Sequence, residues 1–93
     1  MDVALRPINF SFSFSFEGVK DSEGIMRFGL RLRQLRESKG MSQQALADEA
    51  DIAKTTLQRI ELARIVTNLD IILVLAKALE ISPEEFFKKA DKA

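Results

Sequence analysis

The sequence predicts an all-α protein, a bundle of five short helices preceded by an N-terminal β-strand arm. Three observations predict it. From residue 25 onward, apolar residues recur at spacings of three and four, in blocks bounded by helix stops. Ahead of them, residues 8–16 alternate apolar and polar, which is the period of a strand. The composition, 93 residues with 46% hydrophobic and 30% charged, suits one small foldable domain. The expected organisation is an arm over 1–24 and a helical domain over 25–93.

In the arm, Ile8, Phe10, Phe12, Phe14 and Phe16 share one face. Asn9, Ser11, Ser13 and Ser15 share the other, and Pro7 and Gly18 bound the run. A lone strand cannot satisfy its own ladder hydrogen bonds, and no second strand is read further along. The expected partner is the same strand of another copy, with the Phe face covering an apolar helix surface. Phe10, Phe12, Phe14 and Phe16 are therefore expected at a dimer interface. The alternatives are a tail that packs as an extended arm, or a different protein as the partner of the arm.

The first helix is expected over 25–39, with Phe28, Leu32 and Leu35 on one stripe and Gly40 as its left-handed stop. The second starts at Ser42 as N-cap and runs to about residue 50, with Leu46, Ala47 and Ala50 inward. The third covers 54–61, with Leu57 and Ile60 inward. The fourth covers 69–79, with Leu69, Ile72, Ala76 and Leu79 inward. The fifth starts at Ser82, with Pro83 at its first position and Glu85 completing a capping box.

Composition excludes much chemistry. The chain has no Cys and no His. Thiolate nucleophiles, Cys/His metal sites, His bases and Ser-His-Asp triads are therefore ruled out. No Asp/Glu spacing suggests a carboxylate metal site. No catalytic residue, cofactor or metal is expected, and the protein is not expected to be an enzyme. The longest apolar run, Leu69 to Ala78, is broken by Asp70 and Lys77. It is far short of the roughly 20 residues that span a bilayer. The expected location is the cytoplasm, with no membrane contact.

Fourteen basic and fourteen acidic residues leave no net charge, but the charges are unevenly placed. Residues 27–66 carry eight bases against five acids, a local excess of three. An anion-facing surface needs such an excess. The same stretch holds two short helices joined by Asp51, Ile52 and Ala53. Ala47 is small where the helices must approach, Ile52 plugs the turn, and Leu57 and Ile60 anchor the second helix. That is helix-turn-helix geometry. The outer face of the second helix offers Lys54, Thr55, Gln58 and Arg59, all able to reach base edges or phosphates.

The sequence over about 27–88 resembles the Xre/Cro-like phage-repressor helix-turn-helix family. The residues that carry the resemblance are Leu32-Arg-Gln-Leu-Arg36, Lys39-Gly-Met-Ser-Gln43, Leu46-Ala47, Ile52, Ile60-Glu61 and Leu75-Ala-Lys-Ala-Leu79, with Ser82 and Phe86. The resemblance implies that Gln43 contacts a phosphate, a role that the amides of a helix N-terminus also favour. Lys54, Thr55 and Arg59 fall on base-reading positions, with Thr56 and Gln58 as auxiliaries. Gln44 and Arg64 complete the expected DNA-binding set. Arg36 and Glu61 match a buried ion pair bracing helix one against helix three, a structural role.

The sequence departs from the family pattern around helix three. Asp51 stands where the turn prefers Gly. Ala53 supplies no cap to helix three. Leu62-Ala63 replaces a basic residue and Gly, Ile65 and Val66 replace polar residues, and Thr67 stands where Pro is common. The departures thin the phosphate-facing groups behind helix three and add apolar surface. Ile65, Val66, Ile71 and Val74 are accordingly expected at a dimer interface. Two-fold pairing would set two recognition helices about one DNA turn apart on an inverted repeat. The expected function is a homodimeric transcriptional repressor that binds double-stranded DNA. The alternatives are the antitoxin of a toxin–antitoxin pair, or a protein-interaction module that has lost DNA binding.

Overall fold

A computed structural model of the protein describes residues 21–88. Four α-helices and one short 3-10 helix follow one another: α1 (Ser22–Ser38), α2 (Gln43–Ala50), α3 (Lys54–Glu61), α4 (Leu69–Leu79) and the 3-10 helix Pro83–Phe87. No strand occurs among the described residues. The expected strand arm, with Phe10, Phe12, Phe14 and Phe16, lies outside them.

Three of the four α-helices start where a side chain takes a free amide. Asp21 accepts from Gly24 N at 2.9 Å, so α1 begins three residues earlier than the apolar pattern predicts. Ser42 accepts from Ala45 N at 3.0 Å and opens α2. Asn68 accepts from Ile71 N at 2.9 Å and opens α4. Ala53, ahead of α3, supplies no such bond. The stops are left-handed residues: Gly40 at φ 73°, Asp51 at φ 60° and Glu80 at φ 59°. Asp51 adopts this conformation at modest cost because its short polar side chain tolerates it.

Two expectations are corrected. The fifth helix is a single 3-10 stretch rather than an α-helix, and Ser82 makes no side-chain cap bond. The Glu85 amide donates to the Ser82 carbonyl at 2.9 Å instead of the hydroxyl, and Glu85's own oxygens are engaged by α1. Arg31 Nε donates to the Glu85 carbonyl at 2.8 Å, and Arg31 Nη2 reaches its carboxylate at 3.2 Å. Leu69 was expected inward but is 66% exposed. It is the first residue of α4, ahead of the turn that packs. Leu75, fully buried, fills the inward stripe with Ala76 and Leu79.

The core joins Leu32 of α1, Leu46 and Ala47 of α2, Leu57 and Ile60 of α3, Leu75 and Leu79 of α4, and Phe86. Each such Leu contributes about 1.5–3 kcal/mol through burial. α2 packs on α4 and α3, and α1 packs on α3 and the 3-10 helix. Gly29 sets the approach of α1 to α3. A Cβ there would stand 2.7 Å from the carbonyl oxygens of both Ile60 and Glu61. Only a residue without a side chain lets the α1 backbone rest on the end of α3. That contact brings Glu61 within reach of Arg36. Among the described residues, no helix is long and apolar enough to cross a membrane.

Candidate nucleic-acid interface

The candidate interface is built on α3, whose two faces differ. Leu57 and Ile60 are buried against α1 and α2. Lys54, Thr55 and Arg59 are exposed, with Thr56 and Gln58 half-buried at the edges. The short turn at Asp51 fixes where α3 begins relative to α2. Its geometry is held by Ile52 N donating to Ala47 O at 3.0 Å, and Ile52 packs against the core below.

No ion pair engages Lys54, Arg59 or Arg64 among the described residues. Three cations around one short helix thus stand free for an anionic ligand. The missing side-chain cap at Ala53 leaves the first α3 amides unclaimed by any side chain. An anion is favoured near such amides.

Behind α3, three polar side chains lock together. Arg36 Nε donates to Glu61 Oε2 at 2.7 Å, and Arg36 Nη2 to Oε1 at 3.2 Å. Arg36 Nη1 donates to the Met41 carbonyl at 2.8 Å. The two side chains are 9% and 3% exposed, so the pair is shielded and braces α1 against the C-terminal end of α3. Gln43 Nε2 donates to Glu61 Oε1 at 3.0 Å. The amide nitrogen carries two donors, so one remains for an outside acceptor. The Gln43 side chain is therefore pre-oriented by the ion pair.

Gln43 and Gln58 line one shallow groove of about 470 Å³, together with Arg33, Arg36, Ser42, Glu61 and Leu62. Gln44 lies on the exposed side of α2 and donates to Asp48 Oδ1 at 2.9 Å. Lys54, Thr55 and Arg59 do not line this groove; they stand on the outward face of α3. Arg64 follows α3, past the left-handed Ala63 at φ 60°, and is exposed. Arg33, not singled out in the sequence, lines the same groove as Gln43, with its Nε donating to Glu37 Oε2 at 3.1 Å.

A second surface carries the expected dimer residues. Val66 is 64% exposed and Val74 37% exposed. Leu62, Leu69 and Leu73 are exposed as well. Ile65 and Ile71 are half-buried and pack against the core beneath them. No metal-holding group of carboxylates occurs among the described residues.

Residues 32–86 match the Helix-turn-helix family HTH_3. Among solved structures, the chain is similar to the restriction-modification controller protein C.AhdI from Aeromonas hydrophila. The two are 40% identical over 68% of this chain and 96% of that one, with a TM-score of 0.67. It is also similar to an HTH_3 family transcriptional regulator from Vibrio cholerae, at 28% identity and a TM-score of 0.70, over 73% of this chain and 38% of that one. The clp gene regulator ClgR from C. glutamicum shares the fold, at 23% identity and a TM-score of 0.63, over 66% of this chain and 79% of that one. No curated protein matches the chain.

Proposed function

The chain belongs to the HTH_3 helix-turn-helix family of DNA-binding transcription regulators, and from that premise we propose that it is a cytoplasmic homodimeric repressor reading an inverted repeat. The observation that carries this reading is the outward face of α3. Lys54, Thr55 and Arg59 are exposed there, opposite Leu57 and Ile60 in the core. A bidentate Lys or Arg reads guanine O6 and N7, and a Thr methyl meets the thymine methyl. Thr56 and Gln58 flank them. Gln43, Gln44 and Arg64 hold phosphates on either side and set the register. Val66 and Val74, with Leu62, Leu69 and Leu73 around them, supply the apolar face of a two-fold dimer. Ile65 and Ile71 support it from behind.

The likeness to C.AhdI, 40% identical over 96% of its length, favours a sharper form of this reading. In that form the regulated genes belong to a restriction-modification system.

Selection of bound fragments from a random double-stranded DNA library tests the proposal. The expected outcome is enrichment of an inverted repeat with half-sites about one helical turn apart. Enrichment of a single half-site would remove the dimer. No enrichment would remove specific DNA binding and leave the antitoxin and interaction-module readings to be tested with protein partners. Phosphate-based binding also weakens steeply with salt, whereas an apolar protein interface does not.

A further inference from the structure

We propose that the apolar groove between α1, the α3–α4 loop and the 3-10 helix is the seat of this chain's own N-terminal Phe segment, residues 10–16, docked in cis. The groove has a volume of about 320 Å³, and Ile25, Phe28, Ile65, Val66, Ile72 and Phe87 supply most of its wall. A cavity of roughly 150 Å³ accepts one benzene ring, so about two Phe side chains fit. Its floor is aromatic. The Phe28 ring centre lies 5.4 Å from that of Phe86 and 5.9 Å from that of Phe87, both tilted. Further rings extend such an array favourably. Phe87 is nonetheless 67% exposed, a large apolar surface left at the groove's rim.

The wall also holds an unmet polar group. Thr67 Oγ1 is buried and has no hydrogen-bond partner among the described residues. Buried hydroxyls are almost always satisfied. An extended backbone laid in the groove presents a carbonyl to it, which an aliphatic side chain cannot do.

Connectivity selects this occupant. The groove begins at Gly24 and Ile25, in the first turn of α1. Phe16 precedes Asp21 by five residues, at most about 17 Å of extended chain. The Phe stripe is thus tethered beside the groove's mouth. A short tether gives an effective concentration in the millimolar range, which a second copy must match from solution.

The chain contains no Cys, so cross-linking tests the proposal on a clean background. Val66→Cys is combined in turn with Phe10→Cys, Phe12→Cys, Phe14→Cys and Phe16→Cys in the full chain, under mild oxidation. Val66 is 64% exposed, so this change spares the core. The proposal expects at least one of the four to close an intramolecular disulfide roughly tenfold faster than a control pair at Glu49 on α2, at a rate independent of protein concentration. Ser11→Cys and Ser13→Cys should cross-link more slowly than their Phe neighbours. Disulfides joining position 66 of one chain to the arm cysteine of another, told apart from 66–66 links by peptide mapping, would assign the groove to another copy's arm and overturn the proposal. Equal rates at Val66 and Glu49, or at Phe and Ser positions, would overturn it too.

Discussion

The Arg36 guanidinium grips the Glu61 carboxylate with two nitrogens, at 2.7 and 3.2 Å, across the packing of α1 on α3. Glu61 is the last residue of α3, so the pair fixes the end of that helix. It also holds Gln43 through the same carboxylate. Removing one partner strands a shielded charge. Glu61→Leu should destabilise the fold by about 3–5 kcal/mol, while the double change Arg36→Met with Glu61→Leu should recover much of that loss. Denaturant unfolding of the parent and the two variants measures both. A single variant as stable as the parent would show that the pair braces nothing.

Two glycines with different neighbours should respond differently. A side chain at Gly29 meets two backbone oxygens at 2.7 Å, whereas one at Gly40 meets nothing within 4 Å. Gly40→Ala should cost only the left-handed backbone penalty, about 1–2 kcal/mol. Gly29→Ala should cost more, because α1 must move off α3. The left-handed Ala63 offers the converse. Ala63→Gly should stabilise by about 0.5–1 kcal/mol, the relief of strain outweighing the added chain entropy. Chemical denaturation ranks all three, and Gly29→Ala milder than Gly40→Ala would contradict the packing described.

Acid should loosen the 3-10 helix. The Glu85 carboxyl is held below the ordinary carboxylate range, chiefly by the hydrogen bond from Lys88, with the charges of Lys88 and Arg31 adding; burial acts in the opposite direction and loses. The folded form therefore takes up this proton less readily than the unfolded chain. Its stabilisation is present above the ordinary carboxylate value and is lost as pH falls through the lowered one. The melting difference between the parent and Glu85→Gln should be largest near neutrality and close in acid. A difference that stays constant with pH would exclude Glu85 as its source.

The dimer proposal makes its own demand. Val66→Glu with Val74→Glu places charge on the exposed apolar face without entering the core. Sedimentation should show a monomer of unchanged helicity, and binding to a two-half-site DNA should weaken more than binding to one half-site. A persistent dimer would move the interface elsewhere.

Much of this architecture was legible because local signals agreed with packing. Leu57 and Ile60 sit three apart between a turn and a positive-φ residue, and α3 spans 54–61 as their spacing predicts. Gly40 and Asp51 mark stops that the backbone uses. Where reading failed, a distant residue decided. Glu85 has a capping position but is drawn to Arg31, 54 residues away. Leu69 fits the helical stripe, yet the chain turns at Asn68 and leaves it at the surface. Gly29 carries no expectation in the sequence; only the approach of α3 gives it a purpose. At the candidate interface, residue types on α3 were readable, but the hold of Glu61 on Gln43 depended on three separate helices.

The most direct test of base reading by α3 is the affinity of Arg59→Ala for the selected DNA site and for a scrambled site of the same length and salt. The account predicts a loss of about 1–3 kcal/mol on the selected site, roughly 5- to 150-fold in Kd. On scrambled DNA the loss should be only that of one diffuse positive charge. Equal losses on both would make Arg59 a phosphate contact, and no loss on either would take α3 out of the interface.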